Sequence, residues 1–455
     1  MRGRNRYGLV RLVLLLILDC FAVLAFQTNE VKVNPKLPVI PQRRFVLTDF
    51  GGVGDGKSMN TEAFRKAVAA CKKAGGGEVF VPQGVFLTGP IELTDKMALV
   101  IEKGATIRAS ENFKDYESLD SKGKRSATPL IRGTNLSDIE IRGEGVIDGA
   151  GLVWWQRFRK ERASGVPQQG ERRAAGQPEE SPRPKLVVLS GCNRVRIEGV
   201  TLKDSAQFHL VPNRCRDVTI EDVKIQAPED SPNTDGIDPT GSSYVLIRRC
   251  IIDVGDDNIA FKSNPNEGAT ENVLVTDCTF KHGHGASIGS NIGGGIRNIR
   301  VEHSTFENTD NGIRIKSTRD RGGVVENVTY RDLTMKNVGT AITLNLFYFD
   351  KEGQRERESK PVTETTPVVR SVEIRNVRVE GAKSAGEIIG LPEMPISSIL
   401  MDSVRINARA GMTIQDAKAV ELIDVQITAQ KGEPLTVRDA EVKSSKGGVT
   451  GAKRD

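Results

Sequence analysis

Apolar and polar positions along most of this chain repeat one short pattern: apolar, x, apolar, x, x, small or apolar, x, apolar. The clearest copy is Val195-Arg196-Ile197-Glu198-Gly199-Val200-Thr201-Leu202. It returns as VTIEDVKI from Val218, VLIRRCII from Val245, VLVTDCTF from Val273, IRVEHSTF from Ile299 and VTYRDLTM from Val328. Later copies start at Val372, Ile399 and Val420, and a looser one at Ile139. From Val195 to Val328 the steps are 23, 27, 28, 26 and 29 residues. Alternation over three to five residues is the period of a strand. The two-residue break, often Asp-Val, Asn-Val or Gly-Val, predicts a corner between short strands. One coil of this length cannot bury its apolar side, whereas stacked coils can. The fold is therefore predicted to be all-β, a single-stranded right-handed parallel β-helix, as one elongated domain over residues 46–435.

The ends of the pattern differ. Asn60-Thr61 followed by EAFRKAVAACKKAGGG predicts a capped helix with Phe64, Val68 and Cys71 on one face. It would serve as the short N-terminal capping helix that a solenoid's first coil requires. Residues 156–185 are charged and aperiodic and are expected to form a long loop insertion; residues 350–367 resemble them. Residues 26–45 read as a linker and residues 436–455 as a loose tail. The first 25 residues combine Arg2, Arg4, Arg6 and Arg11 with an unbroken apolar run from Leu12 to Leu18 and the small-residue step Val23-Leu24-Ala25. This is the pattern of a cleaved secretory signal peptide, and it places the protein outside the cell or in the periplasm. A retained N-terminal anchor is the alternative.

Composition adds limits. The formal charge is +6. The leader carries four Arg and Asp19, so its removal leaves +3, too little to imply a nucleic-acid partner. No later stretch reaches the ~20 apolar residues of a membrane span, so no membrane association is expected after cleavage. Cys71, Cys192, Cys215, Cys250 and Cys278 show no CxxC spacing, which argues against structural zinc. Cys250 and Cys278 occupy the same template position in consecutive coils and are expected to be stacked, buried thiols.

Four polar clusters interrupt the apolar coils: Asn233-Thr234-Asp235-Gly236, Gly255-Asp256-Asp257, Gly283-His284-Gly285 and Arg314-Ile315-Lys316. Each alone is an ordinary turn or exposed strand. Asp235, Asp256, His284 and Arg314 lie 21, 28 and 30 residues apart, about one coil each. Residues one coil apart stack ~4.8 Å apart along the axis, which would put three carboxylates, an imidazole and two cations in one column. Asp256 and Asp257 can share that column only at a bend, which Gly255 permits. His282 and His303 lack such a setting and are expected at the surface. Repelling carboxylates leave at least one able to hold a proton near neutrality, while another stays ionised. Fixed cations suit a substrate carboxylate. The set describes hydrolysis of an acidic glycan, with no cofactor and no metal.

The clusters, in this order, resemble the polygalacturonase family, glycoside hydrolase family 28, and in detail its bacterial members. DFGGVGDGKSMNTEAFRKAV, GEGVIDGAGLVWW, FHLVP, SPNTDGID, GDDNIAFKS, GHGASIGS and NGIRIKS are all similar to its blocks. The resemblance implies a pectin-lyase-like solenoid, a pectin or polygalacturonate partner and inverting hydrolysis of α-1,4-galacturonosyl links; a monomer is expected. It implies Asp256 as general acid, Asp235 and Asp257 as holders of the attacking water, and His284 as tuner of the acid. Asn233, Arg314, Lys316 and Tyr348 are the implied substrate contacts. Gly255 and Asn258 depart from the residues common in endo-acting members and leave endo or exo action open. The alternatives are a rhamnogalacturonan or xylogalacturonan hydrolase, a calcium-dependent pectate lyase, and a non-catalytic glycan-binding β-helix.

Overall fold

The corners that the repeat predicts are built by single left-handed residues. Gly199, Asp222, Asn376 and Asp424, each just ahead of the Val of the template, have φ of 73°, 57°, 49° and 51°. Gly, Asn and Asp reach this region at least cost, so the Gly-Val, Asp-Val and Asn-Val steps are corner signals with a physical cause. A second left-handed residue stands just before each template: Arg194, Asp217, Tyr244, Asn272, Asn298 and Asn327. The chain thus turns at fixed places in every coil, and strands of successive coils come into register.

A computed structural model of the chain describes residues 32–167, 179–350 and 357–445. From Val33 onward these residues pack as one unit. Strand pairing is parallel throughout the coils, with Val195 against Val218, Val218 against Val245, Val245 against Val273 and Val273 against Ile299. Among the described residues, the antiparallel pair is a hairpin of Glu117–Leu119 with Arg125–Ala127. The architecture is a right-handed parallel β-helix. Its three strand columns include Asn193–Glu198, Thr201–Lys203 and Leu210–Asn213 in one coil. The apolar positions of the template fill the axis: Val195, Ile197, Val200 and Leu202 are all buried. Each such side chain contributes roughly 1.5–3 kcal/mol. Phe280 stacks on Phe306 one coil later, ring centroids 4.8 Å apart. Cys192, Cys215, Cys250 and Cys278 are buried free thiols.

The N-terminal helix, α1 (Thr61–Lys73), buries Phe64 and Cys71 as expected, together with Ala63 and Ala67, whereas Val68 is only partly buried. Its cap differs. The Asn60 side chain does not bond the helix; it accepts from Val53 N at 2.7 Å and donates to Ser58 O at 2.7 Å, tying down the preceding loop. The loop expected over 156–185 is corrected in its first part. A second helix, α2 (Leu152–Ala163), runs through it because Trp154, Trp155 and Phe158 bury one side. The tail expected from 436 is also corrected: the strand segment Ile396–Ser445 continues ten residues further. The first strand, Arg44–Val46, begins two residues before the boundary set by the repeat. The expected leader and the last ten residues lie outside the described residues. Among the described residues, no helix is long and apolar enough to cross a membrane.

Candidate active site

All four polar clusters fall on the third strand column. There Ile237 pairs with Ile259, Ile259 with Ala286, and Ala286 with Ile313. Asp235, Asp257 and His284 each sit two residues before one of these paired positions. Register therefore places them in line, one per coil. Asp256 and Asp257 lie on a bend before the strand Ile259–Ser263, as the Gly255 argument requires. A Cβ at Gly255 would stand 2.4 Å from Ser231 O. Gly283 has φ 62°, and its Cβ would meet Asp256 O at 2.4 Å.

The side chains form a connected network. Asn233 Nδ2 donates to Asp256 Oδ2 at 3.4 Å, and His284 Nδ1 lies 3.0 Å from Asp256 Oδ1. His284 Nε2 reaches Asp310 at 3.3 Å. Asp257 accepts from Ser287 Oγ at 2.6 Å, Arg314 Nη1 at 3.2 Å and Lys316 Nζ at 2.8 Å. The Tyr348 ring lies 5.3 Å from Arg314 Cζ and 5.0 Å from Lys316 Nζ. Asp235 stands beside this network, one coil from Asp257, and is held by Lys262, which donates to Asp235 Oδ2 at 2.8 Å and Asp238 Oδ2 at 2.7 Å. So the eight residues singled out from the sequence gather on one wall.

Two features differ from the sequence reading. Arg314 and Lys316 face Asp257 rather than standing free for a ligand, because a buried carboxylate requires a counter-charge. Asp235, Asp257 and Lys316 are buried, while the Asp256 and His284 side chains keep 22% and 29% exposure. The surface thus presents the Asp256–His284 pair, with Asn233, Arg314 and Tyr348 partly exposed around it and Asp235, Asp257 and Lys316 buried.

Electrostatics separate the carboxylates. Burial pushes Asp257 up, but Lys316, Arg314 and His284 more than offset it and hold it far below the usual range. Asp256 also ends lower than usual: burial raises it and the His284 hydrogen bond lowers it further. Asp235 goes the other way, raised by burial and by Asp238 against the pull of Lys262. His284 loses to burial but gains more from hydrogen bonds to Asp256 and Asp310, which carry it up to about 10. Asp256, Asp257 and His284 offer ligand atoms within 4.8 Å of one another. Two cations already hold Asp257 and a protonated imidazole holds Asp256, so the set does not suit a metal ion.

Residues 71–429 match the Glycosyl hydrolases family 28. The chain belongs to this family. It is a glycoside hydrolase. A polygalacturonase of Malus domestica is 30% identical over 381 residues, covering 81% of this chain and 76% of that one. An endo-polygalacturonase of Pectobacterium carotovorum subsp. carotovorum is 32% identical over 324 residues, 67% of this chain and 76% of the relative. Among solved structures, an exopolygalacturonase from Thermotoga maritima matches with a TM-score of 0.73 at 29% identity, covering 86% of this chain and 95% of that one.

Sequence reasoning missed several members of this family 28 site. Lys262 stands five residues after Asp257, and its place on the strand that leaves the Asp-Asp bend was the available signal. His209, quoted only within FHLVP, is buried beneath Asp235. Its Nε2 accepts from Ser205 N at 3.3 Å, so Nδ1 carries the proton donated to Asp235 O at 3.0 Å. Asn258 Oδ1 accepts from Gly285 N at 2.8 Å and holds the His284 turn. Asp238 and Ser287 lie within the quoted SPNTDGID and GHGASIGS blocks with no role assigned to them, and Asp310 carried no sequence signal.

Proposed function

We propose that this chain hydrolyses the α-1,4-galacturonosyl links of polygalacturonate with inversion. The observation that carries the reading is the partly exposed Asp256–His284 pair in front of the buried, cation-held Asp257 and the lysine-bridged Asp235. At neutral pH the pair shares one transferable proton across the 3.0 Å Nδ1–Oδ1 contact. In the resting pair the proton lies on His284; it crosses to Asp256, which gives it to the glycosidic oxygen as the bond from that oxygen to the anomeric carbon breaks, leaving Asp256 ionised and His284 neutral. Water attacks the anomeric carbon from the opposite face, held by Asp235 and Asp257. Asp257 is too weak a base to take its proton, because Lys316 and Arg314 stabilise its ionised form. Asp235 takes it: its affinity for a proton is raised, and its Oδ1 is buried without a hydrogen-bond partner. Arg314, partly exposed beside the Tyr348 ring, faces a uronate carboxylate beside the cut, and the buried Lys316 adds its charge from behind while it holds Asp257. The leader is removed on export.

The test is product analysis on polygalacturonate. Reducing ends should accumulate, and proton NMR should show the opposite anomer first. Asp256→Asn should lower turnover by at least ~10² with the fold intact. Unsaturated products, or near-normal turnover in this variant, would sink the reading. N-terminal sequencing of the exported protein checks the leader.

A further inference from the structure

Arg183 lies in no motif, yet it is buried next to the reacting groups. It belongs to the segment that returns from α2 to the strand Val187–Ser190. Its guanidinium is 2% exposed. Nε and Nη2 reach Glu180 Oε1 at 3.3 and 3.0 Å, and Nη1 reaches Ala206 O at 3.2 Å and Pro232 O at 2.9 Å. Nη2 also donates to Asn233 Oδ1 at 2.7 Å. The Phe158 ring of α2 backs the guanidinium, 4.2 Å from Cζ.

The last hydrogen bond has a directional consequence. An Asn side chain presents either its oxygen or its nitrogen to a given neighbour, and its partners decide which. A guanidinium only donates, so Arg183 holds Oδ1 on its own side. Nδ2 is then turned to Asp256 Oδ2, the 3.4 Å contact. The reversed amide would set an oxygen against the Asp256 carboxylate. Asp256 is a carboxylate beside the protonated His284 and again once the proton has passed to the glycosidic oxygen, so a donor at Oδ2 stabilises the charge left there by the transfer.

We propose that Arg183 is a positioning residue: through Asn233 it presents an N–H donor to Asp256 at proton transfer. The insertion that carries it is thereby part of the active site. This rests on the reading of Asp256 as proton donor.

A double-mutant cycle with polygalacturonate tests it. Arg183→Gln and Asn233→Ala should each lower kcat about tenfold, with KM changed less than twofold. The double variant should be no slower than the slower single one, because both remove one interaction. Arg183→Lys keeps the charge beside Glu180 but not the fixed fork; it should fold and fall between wild type and Arg183→Gln. It takes over both arms if Arg183→Gln does not fold. A crystal structure of the variant should show the Asn233 amide turned away from Asp256. Multiplying kcat losses, or an Asn233 unmoved in that crystal, overturns the proposal. Wild-type enzyme inert on polygalacturonate would instead sink the substrate reading, and the crystal would still decide the role of Arg183.

Discussion

Lys262 holds two buried carboxylates with one ammonium. Asp235 Oδ1 and Asp238 Oδ1 have no hydrogen-bond partner among the described residues, so the lysine is the main force keeping either ionised. Removing it leaves two acids facing each other in a dry setting, and at least one then takes a proton. The Asp235 proton affinity rises further, and as the proposed base it is occupied at neutral pH. Lys262→Met should therefore lower kcat by ~10² near pH 6 and move the acid limb of the kcat profile to higher pH. Part of the rate should return toward pH 8. A pH–rate series measures this, and an unmoved acid limb would show that Lys262 does not govern the base. Asp257 is the contrast: Ser287, Arg314 and Lys316 already stabilise its ionised form, and Lys262 adds the smaller share.

At the scale of elements, α2 decides whether the insertion is surface decoration or support for the site. Trp154 packs on Phe113 with centroids 4.5 Å apart and edge-on to Tyr116 at 5.7 Å. Trp155 Nε1 donates to Ser205 O at 3.1 Å. Trp154→Ala should cost ~3–5 kcal/mol of local stability through the cavity it leaves. Hydrogen exchange should then report loss of protection in α2 before the coils; unchanged protection there would mean that the aromatic cluster does not hold the helix. The coils were legible because their apolar period recurs and their corners need Gly, Asn or Asp. The site was legible wherever a chemical group repeated at coil spacing, as Asp235, Asp256, His284 and Arg314 do. Helix α2 was not, since it occurs once, and its two adjacent Trp read as the end of a motif and Phe158 as part of the loop after it rather than as one face of a helix. Arg183 and Lys262 escaped for a related reason: their partners lie a coil or more away, and one sequence does not reveal which charges meet.

For the whole molecule, the buried His209 and the partly exposed His284 respond to pH in opposite directions. Burial holds His209 down at about 4, so it is neutral across the working range and adds no slope above pH 6.5. His284 is raised from 6.5 to about 10. A group whose folded value lies above its unfolded value stabilises fully below the unfolded value, and that contribution is lost as pH rises through the folded one. Here the window runs from about pH 6.5 to about pH 10. In it the unfolded chain has released the His284 proton while the native chain still holds it between Asp256 and Asp310. Asp235 is also raised by burial, so a slope of the same sign from its own titration has to be told apart. The two are separable by substitution. The thermal midpoint of the wild type should fall steadily between pH 7 and pH 9.5. His284→Asn should start lower, since Asp256 and Asp257 lose a cation, and should stay nearly flat over that range. If the variant falls as steeply as the wild type, the slope belongs to Asp235 or another group, and the Asp256–His284 pair does not hold its proton at neutral pH.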